Sequence, residues 1–141
     1  MTRVLRLVFA LAIGTWLGAI VSLTWIVTPT AHGAFAPHEA RRLLRPLFPR
    51  HYGLGIVCGF LALATILVGK EGLPHDEVLR LAIPTGIGLL CTLVGRQVLL
   101  PRLRELDRED PRFGRLHQVS AMLNTTTLGA LVLAMAAAVT R

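Results

Sequence analysis

Four polar residues recur at helical spacing near the end of the chain: His117, Ser120, Asn124 and Thr127, at i, i+3, i+7 and i+10. On a helix they form one stripe. The run that carries it, Leu116 to Thr140, holds no charged residue and exceeds the ~20 apolar residues that cross a bilayer. Polar side chains in such a span are costly unless they face protein, water or a ligand, so the stripe is expected to point inward. Arg96 poses the same problem in another apolar run. No Asp or Glu lies within any apolar run to neutralise it. Such a guanidinium either snorkels to lipid phosphate or receives an anionic group: a lipid headgroup, a haem propionate or an acidic substrate. His51 and His117 add two imidazoles on separate segments. Imidazole ligates metals and haem iron, and it also hydrogen-bonds backbone carbonyls and hydroxyls at helix ends, so both roles stay open. The candidate ligand-binding set is Arg96, His117, Ser120, Asn124, His51 and Tyr52, with His51 and His117 as metal ligands under the alternative reading.

The elements that must bring these residues together are spans. The chain has 141 residues, 53% of them hydrophobic, and a mean hydropathy of +0.61, which is far more apolar than a soluble domain of this size. Uncharged or nearly uncharged runs cover about 7–28, 52–68, 78–100 and 116–139. The fold class expected is therefore an all-α membrane protein: a single domain over 1–141 built as a four-transmembrane-helix bundle. Arg3 and Arg6 before the first run resemble the start of a signal peptide. That run is too long for one, and Pro37 follows the nearest Ala-x-Ala, so a retained first helix is expected. Its Gly14, Gly18 and Ala19 offer a small-residue face for close helix packing, and Trp25 suits an interfacial anchor.

Between the first two spans, about 37–46, His38, Arg41, Arg42 and Arg45 share one helical face and Ala40, Leu43, Leu44 and Leu47 the other. Pro37 suits a helix start and Pro46 an end, so a short interfacial amphipathic helix is expected, its Arg41, Arg42 and Arg45 among lipid headgroups. Pro101 should kink or end the third span. The fourth opens with Asp110 as N-cap and Pro111 at the first helical position.

The formal charge of +7 raises the question of nucleic acid, but the arginines flank apolar runs. Membrane orientation and anionic lipid explain that placement, so the expected partners are membrane lipids, with no nucleic acid. Ten Arg and Lys residues fall in the two links that share one side and five on the other side, which favours both termini outside and the basic links in the cytoplasm of a bacterial inner membrane. Cys58, Cys91 and Met122 read as packing residues. No nucleophile–base pair, glycine-rich phosphate loop or zinc motif is present, so nothing marks an enzyme, and the absence of intramembrane carboxylates argues against a proton relay. Four helices enclose little room, so a pore would need a homo-oligomer.

Four places carry a family resemblance: Gly14-x-Trp16, Leu47-Phe48-Pro49 with Tyr52, Arg96 followed by Pro101-Arg102, and Asp110-Pro111 leading to His117, Ser120 and Asn124. In these the chain resembles the transmembrane-protein-205-like family, also catalogued as a domain of unknown function. Animal members carry a longer insertion before the Asp-Pro motif than the short link here. The resemblance implies a four-helix integral membrane protein without an established reaction, and an animal member's association with resistance to a platinum drug implies trafficking or export. More remotely, the architecture looks like copper-resistance protein D-like proteins and the four-helix bacterial protoporphyrinogen oxidase, a likeness at fold level alone.

Three functions follow from these residues, with the role in tolerance implied by the resemblance alone. The first is a bundle that binds or transports an anionic or amphipathic small molecule or lipid at a polar pocket at its cytoplasmic end, in stress or drug tolerance. The second is a haem or copper redox protein with His51 and His117 as ligands. The third is a membrane scaffold in which the stripe only specifies packing.

Overall fold

The computed structural model describes residues 1–140, which fold into four long helices without a strand among them: α1 (Arg3–Ala34), α2 (Pro37–Gly72), α3 (His75–Glu105) and α4 (Pro111–Val139). Each is long and apolar enough to cross a membrane. With 29 to 36 residues apiece, at 1.5 Å per residue, they outrun a hydrocarbon layer of about 30 Å. Most of the excess falls at the end where the links 35–36 and 106–110 lie, which is also where the arginines gather. We term this the basic end. At the opposite, terminal end, the Met1 ammonium donates to the Gly72 carbonyl (3.4 Å), and Thr2 Oγ1 caps α1 by accepting from Leu5 N (3.3 Å).

The core is organised by one aromatic wedge. Trp16 is buried with Phe9, Ile13 and Ile20 of α1, against Cys58, Ala62 and Ile66 of α2, Leu81 and Leu89 of α3, and Leu131 and Ala134 of α4. Its indole occupies space that α2 leaves by carrying glycines. A Cβ on Gly55 would stand 2.5 Å from Trp16 Nε1, and one on Gly59 3.0 Å from Trp16 Cζ3. Helices in lipid associate by contact rather than by water exclusion, so this close approach contributes much of the bundle's cohesion. Buried hydroxyls are satisfied within their own helices: Thr65, Thr85 and Thr92 donate to the carbonyls of Ala62, Leu81 and Gly88. The small face of α1 does not play the role expected for it. Gly18 has open space before it, and Gly14 meets only the Met135 methyl at 3.7 Å, because the wedge, not the glycines of α1, points into the bundle. Met122 is likewise exposed rather than packed.

Prolines shape the basic end differently from expectation. The helix starting at Pro37 was expected to stop at Pro46 as a separate interfacial element. It runs unbroken from Pro37 to Gly69, through Pro46 and Pro49, and is the lower part of α2 itself. Its Ala40 and Leu44 do not lie on lipid. They are buried against Ala31 of α1, with Val27, Leu47 and Phe48 alongside, and this packing holds the helix together where backbone hydrogen bonds are missing. Pro49 has no N–H to return to the carbonyl of Arg45, four residues earlier. That carbonyl accepts instead from Arg104 Nη2 of α3 at 3.1 Å.

The third helix also continues past its proline. Residues Gly95–Leu99 form a π-helical turn, and the α-helix Leu100–Glu105 follows, with Pro101 in its first turn. A second π turn, Ser22–Val27, precedes Pro29 in the same way. In both, the backbone bond reaches five residues back: Thr28 N to Leu23 O and Leu100 N to Gly95 O. The wider turn removes the clash between the proline ring and the carbonyl four residues before it, so each helix absorbs its proline instead of ending there.

Candidate functional site

The two π turns lie on α1 and α3 toward the basic end, and the polar stripe of α4 meets the neighbouring helices there. Asn124 Nδ2 donates to Thr24 Oγ1, inside the π turn of α1, at 3.1 Å. The Tyr52 hydroxyl of α2 pairs with Ser120 Oγ at 3.5 Å. Arg96, inside the π turn of α3, lies across Gly53, where a Cβ would stand 3.3 Å from its Nη1. Tyr52 and Gly53 are consecutive, so Ser120 and Arg96 are brought to one level on either side of α2. Gly95 makes this possible: a Cβ there would sit 2.8 Å from Tyr52 Cε1. All four helices thus contribute to one seam of hydroxyl, amide and guanidinium groups.

The inward turn of the stripe holds for part of its length. Thr127 is buried and donates to the Leu123 carbonyl, and Ser120 and Asn124 are half-buried with partners on other helices. His117 is exposed instead. It stacks on Phe113, one turn earlier in its own helix, with ring centroids 6.2 Å apart and planes 4° from parallel. His51 is half-buried and has its ring edge-on to Tyr52 at 5.6 Å. The two histidines therefore have different ring partners, and among the described residues no cluster of three or more His, Cys, Asp or Glu is placed to hold a metal. Arg96 is exposed as well, and among the described residues it makes no ion pair. The seam is open at the bundle's surface, not an enclosed pocket. The arginines of lower α2 are exposed too; Arg41 Nε returns to the Pro37 carbonyl at 3.4 Å.

Beside the seam, the link into α4 is fixed by Asp110. Its Oδ1 accepts from Arg112 N at 2.9 Å, and its Oδ2 pairs with Arg112 Nη2 at 2.9 Å. These hydrogen bonds hold the Asp110 carboxyl below its ordinary range. Sequence reasoning found this cap and named Tyr52, Arg96 and Ser120 as candidates at one end of the bundle. It missed the π turns, the glycines under Tyr52 and Arg96, and the Arg104 bond to Arg45. The signals were present as Pro29, Pro101 and Pro49, each freeing a carbonyl four residues earlier.

Fold and seam together describe a small four-helix membrane protein with a polar, arginine-bearing surface at its basic end. A family model described as a domain of unknown function (DUF4149) matches residues 11–112, and the chain belongs to that family. The match includes Thr24, Tyr52, Gly53, Gly95 and Arg96 and ends as α4 begins. No curated protein and no solved structure matches the chain.

Proposed function

We propose that this protein binds the anionic group of an amphiphilic molecule, a lipid or a small acidic compound, at the seam of Tyr52, Arg96, Ser120 and Asn124. One observation carries the reading. The Arg96 guanidinium lies over Gly53 without an ion-pair partner among the described residues, next to a tyrosine–serine pair able to donate one further hydrogen bond. A guanidinium offers a planar fork suited to carboxylate or phosphate, and near lipid an unneutralised one favours such a partner. His51 stands beside Tyr52, and His117 lies one turn below Ser120 at the mouth of the seam. Arg41, Arg42 and Arg45 add positive charge that draws an anion to this end.

The likeness of the Trp16, Tyr52, Arg96 and Asp110-Pro111 motifs to transmembrane-protein-205-like proteins supports a role in transport or stress tolerance. We place it in a bacterial inner membrane, and the arginine count supports a basic end in the cytoplasm with both termini outside. The test is mass spectrometry of small molecules and lipids that co-purify from the native membrane. Arg96→Leu should lose an acidic species that the parent protein retains, while Arg96→Lys keeps part of it. An unchanged set of co-purified species in Arg96→Leu would remove the proposal. The same sample answers the redox alternative: a Soret band or stoichiometric copper that vanishes in His51→Ala or His117→Ala would replace anion binding with haem or copper ligation.

A further inference from the structure

A second basic feature lies outside the seam. Where the end of α3 meets the start of α4, a cleft of about 420 Å³ is lined by Arg102, Glu105, Leu106, Arg112, Arg115 and Leu116. Three arginines and one glutamate line it, with two leucines completing the wall. The cleft is built by specific devices. The π turn Gly95–Leu99 carries the chain past Pro101, so Arg102 and Glu105 sit on a helix rather than on a loop. Arg104, on the same short helix, is tied to the Arg45 carbonyl of α2. On the other wall, Asp110 caps α4 and holds Arg112 by side chain and backbone. Arg102 and Arg115 are exposed, and among the described residues neither makes an ion pair.

Its depth points to the ligand. The uncharged part of α4 begins at Leu116, directly after Arg115. The Arg102 and Arg115 guanidinium groups therefore stand where a bilayer's phosphates lie, and Leu116 stands where its acyl chains begin. We propose that this cleft is a binding site for the phosphate of an anionic phospholipid, held by Arg102, Arg115 and the free edge of Arg112, with the upper acyl chain against Leu116. Glu105 is the one carboxylate among the lining residues, and it limits affinity. The site is independent of Arg96 and of whatever the seam binds.

The experiment uses the whole protein in mixed micelles of phosphatidylglycerol and phosphatidylcholine, with native mass spectrometry counting the lipid retained. The parent protein should retain phosphatidylglycerol in preference to phosphatidylcholine. Arg102→Gln with Arg115→Gln should weaken that retention at least about tenfold, each charged hydrogen bond to phosphate being worth about a decade in affinity. The double substitution should cause the same loss in an Arg96→Leu background, which separates this site from the seam. Glu105→Gln should tighten it by roughly twofold to fivefold, the range of an exposed charge pair, an effect that loss of structure cannot imitate. Equal retention by the double variant, no preference in the parent, or no gain with Glu105→Gln would overturn the proposal. So would inorganic phosphate binding in lipid-free detergent that the double variant loses, since that outcome identifies a site for soluble phosphate.

Discussion

Gly95 shows how single atoms set the geometry of the seam. The Tyr52 ring rests where a side chain at 95 would be, and in that position its hydroxyl reaches Ser120. Gly95→Ala should therefore displace the ring, break that contact and destabilise the protein by about 1–3 kcal/mol, the usual cost of forcing a methyl into a packed site. Gly53→Ala should cost less, because the atom it meets is the far end of the flexible Arg96 side chain. Thermal unfolding of both variants in one detergent checks the order; equal costs would contradict it. Asp110 makes a pH prediction. Its carboxyl is held below the ordinary value by Arg112, so its folded-state pKa is lower than its unfolded one. The stability it adds is present above the unfolded value and disappears as pH falls through the folded value. Asp110→Asn should leave a cap acceptor but no charge, and flatten the acid limb of a melting-temperature profile taken between about pH 6 and pH 3. A profile parallel to the parent's would show that the pair contributes nothing measurable.

At the scale of the element, prolines act as steering devices. Pro29 and Pro101 each follow a π turn by two residues, and the turns carry Thr24 and Arg96. Restoring an N–H with Pro101→Ala should let the turn relax to α-helix. That would rotate the following residues by about 100° and draw Arg104 away from the Arg45 carbonyl. Cysteines placed at 45 and 104, with Cys58 and Cys91 replaced by alanine, should cross-link through a short bis-maleimide in the parent background. The yield should fall several-fold with Pro101→Ala. An unchanged yield would mean that packing of the Leu100–Glu105 helix, not the proline, sets its direction.

For the whole molecule, the distribution of charge and the depth of the wedge matter together. Trp16 locks α1 to α2 and α3 in the middle of the bundle, while the basic end rises beyond the hydrocarbon with most of the arginines. If that end is cytoplasmic, Thr140→Cys should react with a membrane-impermeant maleimide in intact cells and Arg108→Cys should react only after permeabilisation. The native cysteines are removed in both variants. The reverse pattern would invert the orientation and move both anion sites to the opposite leaflet.

The number of helices, their order, the membrane setting and the Asp110-Pro111 start of α4 were all legible in the sequence. They depend on run length, hydropathy and local capping chemistry, which neighbouring residues settle among themselves. That Tyr52, Arg96 and Ser120 belong to one end of the bundle was legible for a related reason: a helix advances by a fixed rise, so depth can be counted along the chain. What only the tertiary structure decided was direction. Helical periodicity gives the stripe a face but not its neighbours, so the outward turn of His117 and its stacking on Phe113 could not be read from spacing. Nor could the fate of the prolines. Pro46 and Pro101 look like helix ends locally, but burial of Ala40 and Leu44 against Ala31 keeps one helix intact, and a π turn carries the other through. Trp16, Gly55 and Gly59 are far apart in the chain, and the space one needs is the space the others leave.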